Sequence, residues 1–461
     1  MKIVFCASEV FPFAKTGGLA DVCGALPLAL EKLGHEVVVI TPGYKISNIQ
    51  TPGSIVRIGE NVRVFLVQHH HYFDREGLYG DKGGEYKDNL ERFAFLCHEC
   101  FRILKEINFE PDIIHGHDWH TSLLPILLKT NYQHDPFFSK TRSVLTIHNL
   151  AYQGVFPKYQ YEKLGIRANV FHHQGVEFYD QINMLKGGII FADAITTVSP
   201  QYAKEIQSKS LGCNLDGVLR NRAGDIYGIL NGLDYEAWDP ADDPFLEFPF
   251  NVFNQKEKKL KNKQSLLSFL GLPSQGDLPL FGFVGRLCLQ KGVDLIMECL
   301  DDIVALGGQI VFAGMGDEKY HRMIEAASSK HPQRIGKILR FDEGLAHKTY
   351  AASDFFLMPS VYEPCGLGQM IALRYAAIPI VHKTGGLADT IHLYDPIHRI
   401  GNGFIFTEYN KASLMRALVE SFKVYQIESL MDDLRHQVSL YRYSWEKSAK
   451  DYVRVYQQCT S

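Results

Sequence analysis

Apolar residues fall in short blocks along the chain, each closed by a polar or turn residue and followed by a longer stretch with helical spacing. Lys2–Ser8 predicts a buried strand, Gly18–Leu33 a helix and His35–Thr41 the next strand, together a βαβ unit. Further strands are predicted over Val62–Gln68, Asp112–Gly116, Ser143–His148, Ala194–Val198 and Asp225–Leu230, with helices over Leu90–Ile107 and Ile182–Phe191. A second series places strands at Leu280–Val284, Gln309–Ala313, Lys337–Phe341, Phe355–Met358 and Ile378–His382. Such alternation implies α/β architecture, with mostly parallel sheets covered on both faces. Near the end, Trp445, Ala449, Tyr452 and Tyr456 share one face of a predicted helix, which suits docking onto a domain.

The length, 461 residues, is too great for one ordinary core. Two domains are expected, residues 1–240 and 241–461, with the proline-rich segment Asp239–Phe250 as linker and the terminal helix returning to the first domain. The lysine-rich run Gln255–Lys263 reads as a solvated helix face. With 46% hydrophobic residues, 22% charged residues and a formal charge of -4, the chain is a globular protein without the bias of a general nucleic-acid or membrane-surface binder. Nine cysteines are scattered, and Cys97 with Cys100 lacks a second pair to complete a zinc site, so buried free thiols are expected. The apolar run Met1–Ala7 is too short for a signal segment or a membrane span, and a cytoplasmic location is expected.

One heptapeptide, Lys-Thr-Gly-Gly-Leu-Ala-Asp, occurs at Lys15–Asp21 and again at Lys383–Asp389. Its glycine pair suggests a turn that a β-carbon would strain, with N–H groups open to an anion at a helix start. One such turn in each half suggests two nucleotide-type domains presenting loops to a shared cleft. Ligands of parallel sheets bind beyond the carboxyl ends of the strands, where this chain concentrates its chemistry. Arg286 and Lys291 follow a strand and open a helix, a placement that suits a diphosphate and its charge on departure. Glu363-Pro-Cys-Gly366 also lies between strand and helix, and its carboxylate could hold sugar hydroxyls. Cys365 lacks an adjoining base, which disfavours a covalent thiol mechanism. His115-Gly-His-Asp-Trp-His120 invites a metal test, but neighbouring residues on a strand point to opposite faces, so a sugar- and acceptor-binding loop is preferred and no metal is expected. His69–His71 reads as a solvated strand end, and His148-Asn149 as a strand-end pair able to face a developing sugar cation.

In this order the pieces resemble the bacterial glycogen synthase and plant starch synthase family over essentially the whole chain. The carriers are Lys15–Val22, His117-Asp-Trp-His120, Thr146-Ile-His-Asn149, Val198-Ser-Pro200, Ile229-Leu-Asn-Gly232, Val284-Gly-Arg286 with Gln290-Lys-Gly292, Pro359-Ser360 with Glu363–Leu367, and Thr384–Asp389. The resemblance implies two facing Rossmann-like domains with a cleft between them, the GT-B architecture. It implies retaining transfer of glucose from ADP-glucose, with UDP-glucose as the alternative donor, to the non-reducing end of an α-1,4-glucan, without a cofactor. Arg286 and Lys291 match a diphosphate clamp assisted by the Gly17-Gly18 backbone. Glu363, Cys365, Gly366 and Leu367 match the donor-sugar loop; His148, Asn149 and Asn231 look like glucose contacts and Asp118 a residue beside sugar or acceptor. Lys15 and Asp21 belong to the N-terminal glycine loop. Two positions depart from the family pattern. Gly368 stands where many relatives have a polar side chain, and Phe341 where a tyrosine often lies against adenine. Competing readings are a nicotinamide oxidoreductase, disfavoured because no Gly-x-Gly-x-x-Gly follows the first strand, a non-catalytic sugar-binding protein, and a glycosyltransferase with another acceptor.

Overall fold

A computed structural model describes residues 1–45, 55–81, 84–274 and 278–461. Internal packing divides the chain into two units, Met1–Gly232 with Trp445–Ser461, and Leu233–Ser444. The first unit is built on an eight-stranded sheet. Its order from one edge is Ile226–Gly228, Ala194–Thr197, Arg142–Ile147, Ile113–His117, Lys2–Cys6, Glu36–Pro42, Val62–Val67 and Ile55–Ile58. All neighbours pair in parallel except the last, an antiparallel edge strand absent from the expected set. Ile3, Phe5, Val37 and Val39 are buried in one core with Leu19, Val22, Leu26 and Leu30 of the helix Gly18–Lys32.

The terminal helix Trp445–Thr460 inserts Ala449, Tyr452, Val455 and Tyr456 into this same core. A three-stranded antiparallel sheet of Val155–Pro157, Gln181–Asn183 and Glu177–Phe178 lies outside the main one. It shortens the helix expected over Ile182–Phe191. Ile182 belongs to a strand, and Asn183 caps the helix Met184–Phe191 by accepting the Lys186 amide at 2.9 Å.

The second unit has a six-stranded, wholly parallel sheet ordered Ile335–Ile338, Gln309–Ala313, Leu280–Val284, Phe355–Met358, Ile378–His382 and Phe404–Phe406. The strand expected over Lys337–Phe341 starts and ends earlier, since Asp342 caps the helix Glu343–Ala352 and the chain must turn before it. Asp239–Phe250, read as a linker, is bonded into this unit. Asp243 lies 2.8 Å from His347 Nδ1 and accepts the Tyr375 hydroxyl at 2.6 Å, while Trp238 stacks on His347 at 3.9 Å.

The lysine-rich helix Gln255–Phe269 is not simply a solvated face. Lys259 is buried and donates to the carbonyls of Ala351 and Tyr375, at 2.9 and 2.7 Å, closing the C-terminal ends of two helices. Lys263 pairs with buried Asp354 at 2.6 Å. All nine cysteines are free thiols, and no described helix is long and apolar enough to cross a membrane.

Candidate active site

In the first unit the loop after strand Lys2–Cys6 is tied down by Glu9, a buried carboxylate that the sequence reading passed over. Glu9 accepts the Thr16 hydroxyl at 2.6 Å, the Tyr79 hydroxyl at 2.5 Å, the Thr16 amide, and the Gly17 amide at 3.4 Å. Its only sequence signal was an acid placed directly after the first apolar run. Lys15 reaches Asp21 at 2.6 Å. Gly17 is extended (φ −158) and caps the helix Gly18–Lys32, and a β-carbon at Gly17 or Gly18 would find nothing within 4 Å. Turn strain therefore does not explain these two glycines, contrary to expectation; they leave open space over the backbone.

The second copy of the heptapeptide differs. Gly385 has φ +41 and a β-carbon there would start 1.9 Å from the Glu363 carbonyl, and one at Gly386 2.0 Å from that of Cys365. Identical residues serve unlike purposes: an open loop in one unit, a brace beneath another loop in the second.

The strand Ile113–His117 feeds the histidine cluster. His115 lies 2.8 Å from the Tyr456 hydroxyl and 2.6 Å from the Thr146 hydroxyl, so it is a core residue facing the terminal helix. His117 Nδ1 is 3.1 Å from His148 Nε2. Asp118 (φ +54) turns back so that its carboxylate accepts the amides of His148 at 2.7 Å and Asn149 at 3.4 Å. Burial pushes Asp118 up to about 7 against the pull of those two amides. Burial also drives His115, His120 and His148 down to about 3, and His117 well below its ordinary value. The ring of His148 is thus neutral at neutral pH, fit to orient a hydroxyl but not to supply a proton. Asn231 is buried with its Oδ1 lacking any partner, as are His117 Nε2 and His120 Nδ1, which leaves polar atoms ready for a ligand. Among the described residues no three His, Cys, Asp or Glu side chains gather where they could hold a metal ion.

These shifts fix a pH dependence. For the histidines the folded values near 3 lie below the ordinary 6.5, so between those limits the unfolded chain binds more protons and stability is lost as pH falls. Asp118, raised, acts oppositely across about pH 4 to 7, but it is one group against four histidines. The melting temperature should drop steeply on acidification below about pH 6. A melting temperature that stays flat down to about pH 4 would contradict the burial of neutral histidines.

In the second unit Arg286 follows strand Leu280–Val284 and is exposed. Lys291 closes the next turn, and Gly292 (φ +72) starts the helix Val293–Ala305 where a β-carbon would meet the Pro359 carbonyl at 1.9 Å. Lys291 Nζ donates to Glu363 Oε2 at 2.6 Å, with the Ser360 hydroxyl on the same oxygen at 3.0 Å. Two residues distant in sequence are thereby one ion pair, 23% and 7% exposed.

Beyond Glu363, Gly366 takes φ +71, Cys365 is buried and Leu367 half-buried. Gln369, also missed, pins this loop by donating to the carbonyls of Cys365 at 3.0 Å and Gly366 at 2.9 Å. The Gly386 amide adds a bond to the Glu363 carbonyl at 3.0 Å. Gly368 is crowded: a β-carbon there would lie 3.2 Å from the Tyr350 hydroxyl and 3.3 Å from Met358 Sδ. Phe341 sits past its strand and is 85% exposed, so its ring face is open to a stacking partner.

The matching family models are the starch synthase catalytic domain over residues 2–221 and glycosyl transferases group 1 over residues 270–435. The glycogen synthase of Geotalea uraniireducens is 44% identical over 99% of this chain and 98% of its own length. That of Thermotoga maritima is 42% identical over 99% of both. Among solved structures, the catalytic domain of starch synthase IV from Arabidopsis thaliana, bound to ADP and acarbose, superposes with a TM-score of 0.89 at 33% identity, covering 99% of each chain.

Proposed function

This chain belongs to the glycogen and starch synthase family of glucosyltransferases, with its GT-B architecture of two Rossmann-like domains, and from that premise we propose that it transfers glucose from ADP-glucose to the non-reducing end of an α-1,4-glucan with retention at the anomeric carbon. The observation that carries this reading is the Lys291–Glu363 ion pair, on the same strand-to-helix connection as exposed Arg286. A cation already paired with a buried carboxylate is held in place before substrate arrives, and cleavage of the glucosyl–phosphate bond sends negative charge toward such cations. Lys291 turns part of its hydrogen bonding to the diphosphate, Arg286 grips the phosphate oxygens in a fork, and the carboxylate of Glu363 is released to sugar hydroxyls. Phe341 offers its face to adenine, and the Cys365–Leu367 backbone lines the donor.

In the first unit, Asn231 Oδ1 and neutral His148 orient glucose hydroxyls, with Asn149 beside them. Asp118 holds the His148-Asn149 backbone in register. With the Thr16 and Gly17 amides held by Glu9, the amides that start the helix Gly18–Lys32 are the ones offered to phosphate. Support for ADP over UDP comes from the nucleotide in the Arabidopsis relative. The scattered free thiols favour work in a reducing cytoplasm.

A radiolabel assay with ADP-glucose or UDP-glucose, each with and without glycogen, tests the reading directly. Label should enter glycogen faster from ADP-glucose, and its absence from glycogen with both donors would overturn the proposal. Turnover should also survive exhaustive chelation, because protein cations meet the diphosphate charge. Activity abolished by chelator and restored by a divalent ion would contradict that clamp.

A further inference from the structure

His117 and His148 stand at the ends of two neighbouring parallel strands, and their rings meet with His117 Nδ1 3.1 Å from His148 Nε2. Burial holds both rings neutral at neutral pH. A neutral imidazole carries a single proton, so one nitrogen of this pair donates and the other accepts. The far side of the His117 ring decides which. His117 Nε2 is enclosed and has no partner, so a proton there would make an orphaned buried N–H, whereas a bare acceptor is the lesser fault. The His117 proton therefore sits on Nδ1 and is donated to His148 Nε2. His148 must then carry its own proton on Nδ1. Among the described residues nothing bonds that nitrogen, and it is not one of the enclosed orphan atoms. The pair is held in place from both sides. His117 packs against the rings of Phe5 at 5.4 Å and His115 at 4.3 Å, while the Asp118 carboxylate accepts the His148 amide at 2.7 Å.

We infer that His117 is a positioning residue that fixes His148 as its Nδ1–H tautomer, so that His148 meets glucose as a hydrogen-bond donor rather than as an acceptor. The inference rests on the reading that His148 faces the sugar. A free histidine side chain favours the proton on Nε2, so the other tautomer has to be imposed by whatever bonds the opposite nitrogen. His117 is that group. The consequence is selectivity in what the first unit offers: an N–H from His148 suits a sugar oxygen that accepts, and Asn231 Oδ1 suits a sugar hydroxyl that donates. A site with one group of each kind discriminates against a sugar that lacks the matching hydroxyl.

Histidine-selective 15N NMR of the full-length protein at neutral pH, with His148 assigned by its loss in His148→Gln, reads the tautomer without any turnover. Nδ1 of His148 should give the protonated signal and Nε2 the unprotonated one. In His117→Phe, which keeps a ring but cannot donate, His148 should move toward the Nε2–H form, and kcat/KM for ADP-glucose should fall about 10- to 100-fold, as for one buried hydrogen bond lost. His117→Asn places an amide N–H where Nδ1 stood. It should restore the Nδ1–H signal and bring kcat/KM back to within about threefold of wild type. A wild-type His148 protonated on Nε2 would overturn the inference, and so would equal losses in the two His117 variants, which would make His117 a packing residue only. Should the wild type extend no glucan, the proposed transferase reaction fails, while the tautomer signal still decides the role of His117.

Discussion

Arg286→Ala and Lys291→Ala are each expected to lower kcat by about 100- to 1000-fold, since either leaves the departing diphosphate with one uncompensated charge. Their stabilities should differ. Arg286 is exposed, and its loss should cost less stability than the loss of Lys291. Lys291 is the ion-pair partner of Glu363, so its loss strands a buried carboxylate at a cost of roughly 1–3 kcal/mol, below the full buried-pair penalty because the lysine is partly solvated. Adding Glu363→Gln to Lys291→Ala removes the stranded charge and should recover most of that stability without recovering turnover. Kinetics and thermal melts on the two single variants and the double variant check the whole set. Near-wild-type turnover from folded Arg286→Ala and Lys291→Ala would sink the clamp, and a double variant no more stable than Lys291→Ala would show that charge burial is not what the pair resolves.

Legibility followed periodicity. Strands Leu280–Val284, Gln309–Ala313, Phe355–Met358 and Ile378–His382 have the bounds expected from their apolar runs, because a strand buried on both faces must be apolar throughout. Short elements escaped. Ile55–Ile58 is an edge strand with alternating exposure, and Phe404–Phe406 spans three residues, so neither leaves a run long enough to read. The lysine-rich helix misled because a lysine's charge advertises solvent, whereas Lys259 spends all its bonds on helix-end carbonyls, a pairing visible only in three dimensions.

Among the candidate site residues, Lys291 and Glu363 were legible as types after strands, but their pairing was not. Glu9 and Gln369 went unread because each ties down backbone groups of a loop, which no side-chain motif encodes. His115 carried the opposite lesson: it looked like chemistry, yet both ring nitrogens are satisfied inside the core by Tyr456 and Thr146.

The repeated heptapeptide yields a test in which one substitution, made in two copies of the same seven residues, should have opposite consequences for stability. Gly386→Ala places a methyl group 2.0 Å from the Cys365 carbonyl, which is backbone and cannot swing aside. Relief must come from shifting the Glu363–Gly366 loop, breaking the Gly386 amide bond to the Glu363 carbonyl and displacing the carboxylate that Lys291 meets. Overpacking of this kind costs about 1–3 kcal/mol, and a donor loop moved by even 1 Å should lose about 100-fold in kcat/KM. Gly18→Ala meets nothing within 4 Å and lies at the first position of a helix, where alanine is favoured over glycine by up to about 1 kcal/mol. Its melting temperature should hold or rise. If the open space over Gly17 and Gly18 admits the diphosphate, Gly18→Ala loses activity in spite of that stability, as a rise in KM for the nucleotide sugar with little change in its fold. Full activity in Gly18→Ala would remove the first glycine loop from the donor site. A Gly386→Ala protein as stable and active as wild type would show that the second copy does not brace the Glu363 loop.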